Sequence, residues 1–173
     1  DNIYKNSNIL IKDNEIIDIG SNMSIPNAAD AEIIDCTGLI ALPGFVNTHH
    51  HLYQTLFRGI DEVQEKPLFP WLTGLYEFWK HITPDAVYYG SLVGFSELLK
   101  TGCTTTSDHH YVFPQNTSGK LIDEQIEAAS QIGIRFHATR GSMSLGKSRG
   151  GLPPDSVVQD EDTILEDSER LIS

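Results

Sequence analysis

Basic residues are scarce in this chain. Twelve lysines and arginines face 24 aspartates and glutamates over 173 residues, a formal net charge of -12. Such a surface repels phosphate backbones and anionic lipid, so nucleic acid and membrane are disfavoured as partners. A small neutral ligand entering a pocket is not. Cysteine is nearly absent: Cys36 and Cys103 form no Cys-x-x-Cys pair. They read as two reduced, partly buried thiols of a cytoplasmic protein. Long apolar runs are missing too. The longest, around Val87 to Leu99, is broken by Gly, Ser and Glu and is too short to span a bilayer. No basic segment followed by an apolar one opens the chain, and Asp1 stands where Met would. The chain is therefore expected to start inside a longer one.

What is present reads as a globular α/β protein, with 39% hydrophobic and 21% charged residues. "ILIKDNEIIDI", residues 9–19, places two β-rich runs about Asp13-Asn14, a two-residue hairpin turn. "AEIIDCTGLIALPG", residues 31–44, adds further short strand signals, so residues 1–42 are expected to be strands of a small β domain. "GFVNTH" then reads as an apolar strand and Leu52 to Gly59 as a loop or irregular helix. "EKPLFPWLTGLYEFWKHITP" is aromatic-rich and broken by Pro67, Pro70 and Gly74. It suits either a substrate-facing lid or aromatics packing a loop onto a core.

Thr83-Pro84 predicts a helix start, a cap residue followed by proline at the first helical position. That helix is expected to reach about Lys100, with Gly102 just past its end. Residues 103–108 form a β-branched strand. The next helix is apolar at Leu121, Ile122, Ile126, Ala129 and Ile132 and closes at Gly133. "IRFHATR" is a third strand, followed by a long Gly/Ser/Pro loop and a last helix in "DEDTILEDSERLIS". Alternating strands and helices predict a parallel sheet, as a barrel or a doubly wound sheet. No Gly-rich phosphate loop follows the first strand, which disfavours the dinucleotide-binding version. Polar, His-bearing loops at strand ends suit a barrel mouth.

The triplet His49-His50-His51 lies at the first of those strand ends. If the strand from Phe45 continues through His51, His49 and His51 share one face and His50 faces away. Two neutral imidazoles at that spacing can bind one divalent metal, though zinc normally takes three or four protein ligands. The alternative is a polar strand end with solvated histidines. His109 and His110 line the same mouth or are ordinary loop histidines. His137 reads as a hydrogen-bonded core residue, and His81 as structural or solvated.

"LPGFVNTHHHLYQTL" resembles the first-strand signature of the amidohydrolase superfamily. The continuation through "TGCTTTSDHH", "GIRFHATRGSMSLG" and "GGLPPDSVVQDEDTILEDSERLI" is similar to the deaminase branch that holds 8-oxoguanine deaminases and hydroxyatrazine-type aminohydrolases of s-triazine rings. The resemblance implies a metal-dependent hydrolase. Its (β/α)8 barrel would begin at residue 43, after strands of a small β-sandwich in residues 1–42. It implies one divalent metal, zinc first and iron second, with His49 and His51 as ligands. Water activated on that metal attacks a ring carbon and expels ammonia or an amine. The resemblance places Gln54 against the substrate, where an amide both donates and accepts. Arg140 would hold a polarised carbonyl, and Trp71 would wall the pocket.

The family's later histidines, proton-shuttling glutamate and aspartate have no counterpart here, so no catalytic residue is assigned. About four strand–helix units are counted before Ser173, whereas a barrel takes roughly 250 residues. The chain is expected to be the N-terminal part of an enzyme that is homo-oligomeric when full length. Alone it should be inactive and poorly folded, with open strand edges. Two other readings stand beside ammonia release from a purine-like heterocycle: an s-triazine amino- or chlorohydrolase, and a non-catalytic barrel scaffold.

Overall fold

In a computed structural model of the chain, residues 3–23, 31–117 and 120–172 are described. Contacts divide the chain into two compact units, Asp1–Leu42 and Pro43–Ser173.

The first unit holds an antiparallel hairpin, β1 (Asn8–Lys12) and β2 (Glu15–Gly20). Lys12 pairs with Glu15, which leaves Asp13 and Asn14 as the turn. Asp13 takes φ 56, a left-handed conformation that a short polar side chain tolerates. The register shifts between Leu10 and Ile11, a bulge. The strands expected in residues 31–44 do not form. A strand exists through ladder bonds to a neighbour, and no described segment pairs with this one. Ile33, Ile34, Leu39, Ile40 and Leu42 stay exposed.

The second unit is built on three parallel strands, the number the sequence predicted after residue 43. They are β3 (Phe45–Asn47), β4 (Cys103–Ser107) and β5 (Arg135–His137), side by side in chain order. Each is shorter than the sequence suggested. Beyond β5, pairing survives only as an isolated bridge between His110 and Arg140. Helices α1 (Leu68–Trp79) and α2 (Pro84–Lys100) join β3 to β4, α3 (Leu121–Ile132) joins β4 to β5, and α4 (Glu161–Ile172) follows.

The aromatic segment is a regular helix, not a broken loop. Pro67 precedes α1, and Pro70 sits in its first turn, where a missing N–H costs nothing. Gly74 lets Val63 approach: a Cβ there would lie 2.5 Å from Val63 Cγ1. The helix both packs and faces outward, with Leu75, Tyr76 and Trp79 in the core and Leu68 and Phe69 exposed. Thr83 caps α2, its hydroxyl accepting the Ala86 N–H at 3.2 Å. Gly133, φ 80, ends α3 in the left-handed conformation.

One core cluster gathers Tyr53, Leu75, Trp79, Val112 and Leu121. A second joins Leu52 and Phe95 to Ala128, Ala129 and Ile134. Ile126, expected inside, is 46% exposed, and Gln125 is buried in its place because its amide bonds Asp108. His137 is exposed rather than in the core, since it ends an edge strand. His81 is exposed as well. Cys103 is buried and Cys36 exposed, both free thiols.

Candidate metal and substrate site

The sheet positions the triplet without containing it. β3 stops at Asn47, whose amide donates to Thr106 Oγ1 at 3.1 Å. Residues 48–51 run past the sheet edge into a 3₁₀ helix, Leu52–Phe57. The His49 and His51 rings lie 5.0 Å apart, edge to face. His50 turns toward α2, where a Cβ on Gly94 would meet its Cε1 at 3.5 Å. Burial first, and the Arg58 charge second, hold the His50 imidazolium below its ordinary range.

His51 Nδ1 lies 2.8 Å from the carbonyl oxygen of His109. A carbonyl only accepts, so Nδ1 carries the proton and Nε2 keeps a free lone pair. This is the arrangement in which an imidazole ligates through one nitrogen while the other is held. Two imidazoles bound at about 2 Å by one tetrahedral ion would have ring centres about 5 Å apart, which the His49–His51 spacing fits. The pair supplies two donors of the three or four that zinc takes. Among the described residues, no group of three or more His, Cys, Asp or Glu side chains is arranged to hold a metal.

His109 and His110 part company. The His109 ring stands beside the pair, 5.1 Å from His49 and 5.8 Å from His51. His110 is fully buried between Tyr53 and Phe113, and its Nε2–H donates to the Val112 carbonyl at 2.9 Å.

A cavity of about 330 Å³ opens beside the pair, lined by all three histidines of the triplet, His49, His50 and His51, with Gln54, Trp71 and Trp79 among others. Gln54 Nε2 donates to the Tyr53 hydroxyl at 3.2 Å. Trp71 packs edge to face on Trp79, centroids 5.9 Å apart. Thus His49, His51, Gln54 and Trp71 come together. Arg140 does not line this cavity. Its guanidinium bonds Asp167 at 3.1 Å, Gln159 at 2.6 Å and the Gly141 carbonyl at 2.7 Å, and lies over the Phe113 ring.

Sequence reasoning gave Asp108 no role. It is fully buried, one residue past β4, and accepts from the Leu52 N–H and from Gln125 Nε2, each at 2.7 Å. Burial pushes its carboxyl above the usual carboxylate range, against the pull of these bonds. The available signal was an acid at a strand end, directly before a histidine pair.

Comparison with known proteins decides the family. A family model described as "Amidohydrolase family" matches residues 40–172. The chain belongs to the amidohydrolase family. This amidohydrolase chain is 45% identical over 165 residues to an 8-oxoguanine deaminase of Pseudomonas aeruginosa, covering 95% of the chain and 36% of that enzyme. It is 35% identical over 174 residues to a hydroxydechloroatrazine ethylaminohydrolase of Pseudomonas sp. strain ADP, covering 95% and 36%. Among solved structures it is similar to atrazine chlorohydrolase TrzN of Arthrobacter aurescens TC1 complexed with zinc. That match has TM-score 0.82 and 36% identity, over 96% of the chain and 38% of the enzyme. The chain thus spans little more than a third of these relatives.

Proposed function

We propose that the protein carrying this chain is a metal-dependent aminohydrolase that releases ammonia from a purine-like heterocycle such as 8-oxoguanine. It is a hydrolase of carbon–nitrogen bonds in a cyclic amidine. The observation that carries this reading is the His49–His51 pair, with the His51 tautomer set by the His109 carbonyl, at the wall of a cavity shared with Gln54 and Trp71. The likeness to an 8-oxoguanine deaminase supports the substrate class.

His49 and His51 would hold one divalent cation, zinc first and iron second, through neutral nitrogens. That cation would supply Lewis acidity and a water acidified to near neutral pH. The chain's own residues bind and orient. Gln54 spends Nε2 on Tyr53, which leaves Oε1 to accept from a ring N–H. Trp71 gives the flat ring an apolar wall. Arg140 was expected at the same mouth. Three of its five N–H donors go to Asp167, Gln159 and the Gly141 carbonyl, so the reading gives it the task of holding α4 rather than a substrate contact.

Residues 43–173 would be the first strand–helix units of a (β/α)8 barrel, and residues 1–42 strands of a small β-sandwich. The remaining ligands and the proton shuttle would come from outside this chain, which alone would be inactive. The whole protein would act in the cytoplasm, as a homo-oligomer, on a small heterocycle.

A second reading is favoured by the likeness to the triazine enzymes: an s-triazine amino- or chlorohydrolase using the same pair. Turnover of 8-oxoguanine and hydroxyatrazine by the full-length protein separates the two. Ammonia from 8-oxoguanine supports the first. Ethylamine from hydroxyatrazine, with 8-oxoguanine untouched, replaces it with the second.

A further inference from the structure

The geometry points to Asp108 as the residue that positions the His49–His51 pair. Its carboxylate, anchored on Gln125, holds the Leu52 amide and with it the backbone that carries both imidazoles. The inference rests on the reading that His49 and His51 bind the cation.

β3 ends at Asn47, so no sheet ladder fixes residues 48–51. Two local bonds act within the segment, His49 N–H to Asn47 Oδ1 at 3.5 Å and Gln54 N–H to the His51 carbonyl at 2.9 Å, and the bonds to the rest of the fold go to the two residues just past β4. The His109 N–H donates to the His50 carbonyl at 2.9 Å, the His109 carbonyl accepts from His51 Nδ1 at 2.8 Å, and Asp108 Oδ1 accepts the Leu52 N–H at 2.7 Å. Of these three bonds, the Asp108 bond alone reaches a further element, because Oδ2 takes the amide of Gln125 on α3. The 3₁₀ helix Leu52–Phe57 has no side-chain cap from His51 before it. Asp108 meets its first N–H from across the fold instead.

A bare carboxylate in this place is costly. Asp108 is fully buried and forms no ion pair among the described residues. A packed apolar side chain would avoid the desolvation. What the carboxylate adds is a pair of acceptors that tie α3 to the histidine loop. A ligand held by such an outer bond is fixed in orientation, and loss of the bond typically weakens metal binding about 10–100-fold.

The test uses the full-length protein, stripped of metal and titrated with Zn²⁺ alone against a chromophoric chelator. Circular dichroism checks each variant for wild-type fold. Asp108→Ala should weaken zinc about 10–100-fold. Asp108→Asn should restore wild-type affinity. Asparagine keeps an acceptor for Leu52, and Gln125 Oε1, buried without a partner among the described residues, can turn to meet the new amide. Wild-type protein that binds no zinc, or His51→Asn that binds it undiminished, overturns the metal reading itself. Zinc lost in His51→Asn but held at wild-type strength in Asp108→Ala overturns the positioning role alone. Equal losses in Asp108→Ala and Asp108→Asn also overturn it, because charge and not bonding geometry would then act. Should Asp108→Ala not fold, Gln125→Met carries the test: weaker zinc supports the anchor, and unchanged zinc overturns it.

Discussion

Replacing His110 with Gln should change how stability depends on pH while leaving the local bonding in place. A glutamine amide nitrogen can reach the position of the imidazole Nε2 and keep the donation to Val112, but it does not titrate. Burial above all, then the Arg140 and His51 charges, push the His110 imidazole down to about 4 from its ordinary 6.5, with the Val112 bond pulling the other way. The folded value lies below the unfolded one. Between these values the unfolded chain binds a proton that the folded chain refuses. The stability tied to neutral His110 is therefore whole above pH 6.5 and drains away as pH falls toward 4. At 1.36 kcal/mol per pH unit the full loss is about 3 kcal/mol. Urea denaturation of metal-free full-length protein at pH 7, 5.5 and 4 reads it. Asp108 titrates in both proteins and cancels in the difference. Wild type should lose about 3 kcal/mol relative to His110→Gln across that range. A difference that stays constant with pH would refute the argument, because His110 would then reach a proton without unfolding.

Two further substitutions probe the scaffold. In Gly94→Ala the new Cβ would stand 2.7 Å from Leu52 Cδ2 and 3.2 Å from Thr55 Oγ1, both on buried residues. Overpacking at about 2 kcal/mol outweighs the helix-propensity gain, so thermal unfolding should show a net loss of about 1 kcal/mol. Arg140→Met should cost about 2 kcal/mol, less than a buried carboxylate stripped of every partner, because Asp167 keeps Arg170 at 2.9 Å. KM for the substrate should not change. A raised KM at unaltered stability would return Arg140 to the substrate pocket.

Much of the fold was legible because local chemistry set it. Asp13-Asn14 dictated the hairpin turn, Thr83-Pro84 the start of α2 and Gly133 the end of α3. The misjudged places are those where a distant partner outweighs the local signal. Pro70 and Gly74 read as breaks, yet one occupies a first turn and the other makes room for Val63. Residues 31–44 carry strand-like side chains but pair with no neighbour among the described residues, and pairing is not a local property. At the site, the spacing of His49, His51 and Gln54 was visible along the chain. The bonds that hold them were not. Asp108 lies 56 residues from Leu52 and 17 from Gln125, so neither bond leaves a local pattern. The same holds for Arg140, whose partner Asp167 is 27 residues away on α4.

Metal analysis of the full-length protein, purified without chelator, tests the central claim most directly. Wild type and His50→Asn should each carry about one divalent cation per chain, and His49→Asn/His51→Asn should carry none. Wild-type protein devoid of metal, or a double variant that keeps it, would contradict the assignment of this pair and the hydrolytic chemistry built on it.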